Sequence, residues 1–404
     1  MNVGIRHDDL RRRNRAMVLS AVRRAGQASR TEIAGKTSLS HSTISAITAD
    51  LISEGVLVES RQQEAAALRR GRPQVAVTLD PDAASIVAAI LSMNSIAADL
   101  IDYSGTAIAS EKRHIPTLEL SRDELIAETV ATIDRMVAAS PRKPQRIVLA
   151  IQGTTDAREQ SLIWSPITPH GDISFGEILE RRFGMEATIE NDCNMIAEGL
   201  RWHDPQRYGR DFITILLSHG IGMGMVLRGD LFSGTRSSAG EFGHTVHKPN
   251  GALCRCGRHG CVEAYAGNYA IWRNATGVPE NQMIATDIKP ADMVALADRA
   301  RGADPLATNA FKIAGEAIGF GLGSLFALID PAPVAFVGQG ALAFDLLEPA
   351  IREAIAGTAG GQHADAIVLN AIPDETPFIR DGCAMRALAA VDRRISAGGA
   401  AVAA

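Results

Sequence analysis

Residues 241 to 265 read EFGHTVHKPNGALCRCGRHGCVEAY, which packs three of the chain's five cysteines, three histidines and two glutamates into one glycine-broken stretch. Cys254-x-Cys256-x4-Cys261 offers three soft thiolates from a tight loop, and zinc takes four nitrogen or sulfur ligands in a tetrahedron. The fourth ligand must then come from His244, His247 or His259. His259 sits between Cys256 and Cys261 with little freedom to fold back, whereas His244 precedes Cys254 by ten residues, enough chain to return. Cysteines that merely fill a core belong among apolar neighbours, and these stand among Gly, Arg and His. The spacing predicts a structural zinc site.

The elements that must position this loop belong to a chain of 404 residues with 46% hydrophobic side chains, enough for two or three domains. No run of 18 or more apolar residues occurs, and the N-terminus MNVGIRHDDLRRRNR is charged rather than signal-like, so a cytoplasmic protein without a membrane partner is expected. The odd cysteine count, with Cys193 and Cys383 isolated, suits a reducing compartment and a metal site better than a disulfide framework. Net charge is −5, but residues 1 to 75 hold 13 Lys/Arg against 7 Asp/Glu, leaving 28 against 39 in the remainder. A basic head on an acidic body points to a polyanion partner for the head alone.

In the head, LRRRNRAMVLSAVRRA (residues 10 to 25) sets Met17, Val18, Ala21 and Val22 on one helical face, with the arginines elsewhere, and Gly26 ends the pattern. A short helix over residues 31 to 36, a turn at Ser38 and Leu39, and a second helix over residues 41 to 54 follow, with Ser29 and Ser40 as N-caps. Ile44, Ile47 and Leu51 keep the spacing of a buried stripe. His41, Ser42, Thr43, Ser45 and Thr48 lie outside it, where short polar side chains can reach base edges in a major groove. Residues 56 to 60 and 74 to 79 alternate like two strands, completing a winged helix-turn-helix over residues 1 to 82. Between them, Arg69-Arg70-Gly71-Arg72-Pro73 resembles basic segments that enter A/T-rich minor grooves, so Arg70 and Arg72 join the candidate DNA contacts.

From about residue 83, glycine-punctuated apolar runs alternate with helices: IVAAILSM, IAADLID, a helix over 122 to 139 behind the capping-box pair Ser121 and Glu124, IVLAIQG, ATIEND, FITILLSHGIGMGMVL and VAFVGQG. This texture predicts an α/β body with a sheet in each of two lobes and a ligand cleft between them. No internal repeat is evident in the sequence.

The Glu-x-Gly-His box, the Cys-x-Cys-Gly-x-x-Gly-Cys loop and the Glu that follows resemble the signature of the ROK family of bacterial sugar-responsive repressors and sugar kinases. Here they stand at Glu241, Gly243, His244, Cys254, Cys256, Gly257, Gly260, Cys261 and Glu263. The resemblance runs from the helix-turn-helix to the C-terminus. It implies a two-lobed, actin-like (ribonuclease-H-like) body, with a first lobe over 83 to 192, completed by a C-terminal helix over 378 to 396, and a second over 193 to 377. It further implies Zn2+ on His244, Cys254, Cys256 and Cys261, and a sugar held by Asn191, Asp192, Glu241, His244 and Glu263. Carboxylates and an amide suit neighbouring hydroxyls, which both donate and accept. An Asn-Asp pair at a strand end can equally serve as a helix cap.

Kinases of the family carry Asp-x-Gly-Gly-Thr in the first strand hairpin, a turn that cradles nucleotide phosphates. The corresponding residues here are Ile90, Leu91, Ser92, Met93 and Asn94, without the acid, the glycines or the threonine. Glycines persist at Gly220, Gly222 and Gly224 and at Gly338 and Gly340, where strand-to-turn geometry alone could demand them. ATP is therefore not expected as a cofactor, no residue is assigned as catalytic, and Asp192 is read as a hydrogen-bond acceptor. The expectation is a sugar-responsive repressor of the family's regulator branch, binding a double-stranded operator as a homodimer or dimer of dimers. The competing readings are a sugar kinase with an added DNA-binding head, and a repressor controlled by a transporter protein instead of a sugar. Trp164, Trp202 and Trp272 are assigned to core or interface.

Overall fold

The computed structural model describes residues 7–61, 75–237, 239–282, 288–362 and 364–398. The head comprises α1 (His7–Ala25), β1 (Gln27–Ser29), α2 (Arg30–Thr37), α3 (His41–Ser53), β2 (Leu57–Arg61) and β3 (Val75–Leu79). The Ser29 side chain caps α2 within a full capping box with Glu32, and Ser40 Oγ accepts from Thr43 N at the start of α3. Burial of Ile44, Ile47 and Leu51 against Val18, Leu19 and Val22 fixes the angle between α1 and α3. Strand β1 was not anticipated. It pairs with β3, which also pairs with β2, so the wing is a three-stranded antiparallel sheet. Three residues ending in an N-cap are too short to leave a period-2 signal. Arg69, Arg70, Gly71, Arg72 and Pro73 lie outside the described residues.

The first sheet is built from β4 (Ser85–Ser92), β5 (Ser95–Asp102), β6 (Ala107–His114), β7 (Arg146–Ile151) and, beyond the small hairpin β8 (Thr154–Thr155) and β9 (Leu162–Trp164), β10 (Glu186–Asn191). Helices α4 (Arg122–Ala139), α5 (Phe175–Phe183) and α6 (Asp192–His203) are interspersed. The second sheet contains β11 (Phe212–Leu217), β12 (Ile221–Leu227), β13 (Asp230–Leu231), β14 (Val334–Val337) and β15 (Leu369–Ile372). Around it stand α7 (Glu263–Ala266), α8 (Asn268–Ala275), α9 (Pro290–Arg301), α10 (Pro305–Ile329) and α11 (Phe344–Ala356), and the chain closes with α12 (Thr376–Ser396).

The two sheets share one topology. In strand order the first is β10-β7-β4-β5-β6 and the second β15-β14-β11-β12-β13, each an antiparallel three-stranded meander flanked by two parallel strands on its first member. The absence of a visible repeat in the sequence is thus corrected by the structure: the same fold unit occurs twice. Topology depends on the order of apolar strands and helices, which two unrelated sequences can both satisfy. Helix α6 lies against β11 and β12 of the second sheet and along α12, which itself packs on β4 and β7 of the first. Helix α10 is long and apolar enough to cross a membrane, but it packs within the second lobe against α8, α9 and α11 and buries Phe311, Ile318, Leu322 and Phe326.

The arginines of α1 are not all on its outer face, as the helical pattern suggested. Arg15 is buried and forms a two-pronged pair with Glu54 at the end of α3. Arg23 Nη2 donates to Asp392 Oδ1 of α12 at 2.8 Å, its guanidinium lies over the Tyr103 ring 4.6 Å from the centroid, and Tyr103 Oη donates to the same Asp392 oxygen at 2.6 Å. Burial and the neighbouring Asp392 carboxylate drive the Tyr103 phenol far above its ordinary range. These contacts seat the head on the first lobe.

Candidate ligand cleft and metal centre

The carboxyl ends of the parallel strands β7 and β10 face the turn between β11 and β12, and a cleft opens there between the lobes, where open α/β sheets take their ligands. Asn191, Asp192, Glu241, His244 and Glu263 all line it. Asn191 is the N-cap of α6: its Oδ1 accepts from Asn194 N at 3.0 Å, and its Nδ2 donates to Gly153 O at 2.8 Å. The capping role and a place on the cleft wall therefore coexist. Asp192 is buried, accepts from Cys193 N at 2.9 Å, and has its carboxyl pushed up to about 7 by desolvation. Glu241 is exposed and accepts from Thr154 Oγ1 at 2.9 Å, with His244 Nε2 3.9 Å from its other oxygen.

Glu263 is buried at the start of α7. One oxygen accepts from Ile221 N at 3.1 Å; the other lies 3.5 Å from Tyr269 Oη and 3.6 Å from Cys254 Sγ. Gly220 permits this arrangement, since a Cβ there would meet Glu263 Oε2 at 2.5 Å. Cβ atoms at Gly222 and Gly224 would likewise stand 2.4 Å from Cys193 Sγ and 2.3 Å from Cys193 O. The glycine run in β12 thus serves the close approach of this strand to the start of α6, which is sufficient reason for glycine without any phosphate.

The loop before α7 folds on itself through bridges between Val246 and Cys261 and between Leu253 and His259. Gly257 and Gly260 adopt positive φ (81° and 82°), and a side chain at Gly260 would strike Lys248 O at 1.9 Å. The ligand atoms of His244, Cys254, Cys256 and Cys261 all lie within 4.8 Å of one another. His259 Nδ1 instead donates to Gly251 O at 3.0 Å, and the His247 ring packs on Tyr265 and Phe320. The four-residue group fits a tetrahedral ion: sulfurs bound at about 2.3 Å stand roughly 3.8 Å apart, and Cys256 Sγ and Cys261 Sγ are 3.7 Å apart with His244 Nδ1 3.8 Å from Cys254 Sγ. Burial, and after it the Glu263 carboxylate, push the Cys254 thiol far up; burial and the contact with Cys256 raise Cys261 to about 11. A bound cation reverses that balance and favours thiolates. Because His244 presents Nδ1 to the thiols and Nε2 toward Glu241, one ring joins metal group and cleft.

Two cleft residues escaped the sequence reading. Thr154 anchors Glu241, and a threonine after a strand carries no signal of that role. Trp164, assigned to core or interface, is 40% exposed on the cleft wall, edge-on to the His244 imidazole at 5.9 Å. Among the described residues, no lysine or arginine lines the cleft, and Arg236 and Arg255 stand outside it, Arg255 over the Tyr269 ring.

On helix α3, His41, Ser42 and Ser45 are exposed and Thr43 half-buried, with Ser42 and Thr43 hydroxyls bonded to the capping Ser40. Thr48 must be withdrawn as a DNA contact. It is 0% exposed, donates to Ile44 O at 2.9 Å and accepts from Arg30 Nε at 3.1 Å, because one turn after Ile44 it faces α2 rather than solvent. Ala46 and Ala49 are exposed in its place.

Comparison with known proteins agrees with this geometry. The ROK family profile matches residues 91–375. The xylose repressor of Caldicellulosiruptor bescii is 24% identical over 357 residues, covering 86% of this chain and 88% of its own. The transcriptional dual regulator NagC of Escherichia coli is 24% identical, covering 86% of each chain. Among solved structures, a ROK family transcriptional regulator homologous to the E. coli MLC protein superposes with a TM-score of 0.77 at 22% identity over 96% of this chain and 99% of that one. A ROK glucokinase from Streptomyces griseus, bound to glucose and AMPPNP, superposes with 0.58 at 23% identity, covering 74% of this chain and 98% of its own. The kinase match leaves out about a quarter of this chain, whereas the regulator match takes in nearly all of it. The chain, with its doubled α/β unit behind a winged head and its group of one histidine and three cysteines beside the interlobe cleft, belongs to the ROK family.

Proposed function

We propose that this protein is a sugar-responsive transcriptional regulator, a cytoplasmic repressor of carbohydrate uptake or catabolism genes. The observation that carries the reading is the cleft that gathers Asn191, Asp192, Glu241, His244 and Glu263 with no lysine or arginine among its described lining, in a chain headed by a winged helix-turn-helix. Such a cleft suits the hydroxyls of an uncharged sugar and not a phosphorylated one. His244, Cys254, Cys256 and Cys261 would hold zinc, which fixes the loop that carries His244 toward the cleft. Two heads of a homodimer read two operator half-sites through the exposed face of α3, with His41, Ser42, Thr43 and Ser45 as base contacts, and Arg70 and Arg72 as minor-groove contacts. The sugar acts by binding the non-operator arrangement of the dimer more tightly, since equal affinity for both arrangements shifts nothing.

In this reading the protein is not an enzyme. The hairpin between β4 and β5, where the family's kinases carry their phosphate turn, holds Ser92, Met93 and Asn94, and Asp192 serves as an acceptor for a sugar hydroxyl. The test is thermal unfolding against neutral sugars, amino sugars, sugar phosphates and ATP, because a ligand of the folded state raises the midpoint. The expected result is a rise with one neutral sugar, none with ATP, and loss of the rise in Glu241→Gln. A rise that requires ATP together with sugar would make the protein a kinase. No rise with any of them would transfer control to a protein partner such as a transporter subunit.

A further inference from the structure

A second cavity, of about 370 Å3, lies away from the cleft where α1 of the head meets α6 and α12 of the body. Five arginines line it: Arg23 and Arg24 from α1, Arg201 from α6, Arg386 and Arg393 from α12. Three are already engaged with carboxylates. Arg23 pairs with Asp392, Arg201 with Glu198, and Arg386 with Glu190 and Glu159. Glu198 and Asp392, the two acids on the wall, are both spent in these pairs. Among the described residues, no carboxylate stands within salt-bridge distance of Arg24 or Arg393, both of which are exposed to solvent. Arg24 is held over the indole of Trp202, 5.3 Å from the ring centroid; partial burial of its head group and the neighbouring Arg201 depress the guanidinium, with Glu198 pulling the other way. The wall thus carries five guanidinium groups against two carboxylates, and its volume falls in the range of small-molecule sites, roughly 300–1,000 Å3.

We propose that this junction cavity is a second ligand site, which takes a phosphomonoester of about monosaccharide size. Arg24 and Arg393 grip the phosphate in the forked geometry that guanidinium groups offer to phosphate oxygens, and Trp202 supplies an apolar wall for the carbon skeleton. The occupant touches the head through Arg24 and the body through Arg393 and Trp202, so it bridges the joint on which head orientation depends. The site is distinct from the neutral cleft and does not rest on the reading given above for the cleft.

The test titrates the full-length protein with glucose 6-phosphate, inorganic phosphate and glucose at constant ionic strength, by calorimetry and by tryptophan fluorescence, with Trp202→Phe to assign the optical signal. Glucose 6-phosphate should bind and change the Trp202 signal, glucose should not change it, and Arg24→Gln combined with Arg393→Gln should weaken binding by about tenfold or more. Glucose 6-phosphate tighter than inorganic phosphate supports a sugar phosphate; equal affinities support the phosphate group alone as the determinant. Unaltered affinity in the double variant, or loss of binding in Glu241→Gln, would overturn the proposal, the latter by placing the ligand in the cleft. If neither phosphate compound binds and the double variant instead shows weaker DNA binding with a shallower salt dependence, the arginines contact operator backbone and the proposal fails.

Discussion

Asp392→Ala removes the acceptor on which the head–body joint turns. In the native protein the Arg23 and Asp392 side chains are 4% and 10% exposed, their separation is 2.8 Å, and Tyr103 Oη shares the same carboxylate oxygen. Deleting one partner of a buried pair leaves the other charge without compensation, a loss of about 3–5 kcal/mol. The stranded Tyr103 hydroxyl adds a penalty of the order of 1–3 kcal/mol when nothing else can accept from it, although groups in one network do not add fully. The variant should therefore lose at least about 3 kcal/mol in urea unfolding followed by circular dichroism and tryptophan fluorescence. Since α1 belongs to the head and α12 to the body, the loss should also split a shared transition, with the head unfolding first. Replacing both partners by apolar residues, Arg23→Met with Asp392→Leu, should recover most of the stability, because no charge is then buried alone. A loss below about 1 kcal/mol in Asp392→Ala, with head and body still unfolding together, would refute the claim that this triad joins them.

Cys256→Ser should abolish stoichiometric metal in the purified protein, measured by elemental analysis, and with it the sugar-dependent rise in unfolding midpoint; full metal content in the variant would remove Cys256 from the ligand set. Asp192, whose carboxyl is raised to about 7, holds more protons when folded than when unfolded, so its contribution to stability is present below its unfolded pKa and is lost as pH rises from about 4 through 7. Asp192→Asn should accordingly raise the melting midpoint at pH 8 relative to pH 5 and abolish sugar binding, and an unchanged pH profile would contradict the burial argument. Gly222→Ala places a methyl 2.4 Å from Cys193 Sγ and should cost about 1–3 kcal/mol in the same urea assay, whereas no change would show that β12 and α6 can separate freely.

The parts of this protein that were legible in its sequence are those set by local rules. Ser29 and Ser40 announce helix starts because their hydroxyls are the nearest acceptors for free amides, and Ile44, Ile47 and Leu51 announce a buried stripe by period alone. The metal loop was legible because three thiols seldom gather among glycines and arginines without a reason, and the ten residues from His244 to Cys254 leave enough chain for that ring to return to the group, as it does, while His259 is held on Gly251 O. What the sequence concealed depends on long-range partners. Arg15 and Arg23 read as solvent-facing until Glu54 and Asp392 arrive from residues far along the chain. Thr48 reads as polar and outward until the helix is packed, when Arg30 and the backbone of Ile44 satisfy its hydroxyl. Trp164 reads as core or interface, yet its strand lies on a small hairpin at the lip of the cleft. The duplication of the sheet is a property of strand order and leaves no imprint on residue identity.

In the proposed function, a sugar in the interlobe cleft governs DNA binding by the head. Operator affinity of the full-length protein, measured by fluorescence anisotropy at fixed salt while the sugar that raises the unfolding midpoint is titrated, tests it most directly, because phosphate contacts alone make affinity fall steeply with salt. Affinity should fall with sugar in wild-type protein and stay constant in Glu241→Gln. Operator affinity that does not respond to a sugar shown to occupy the cleft would contradict it.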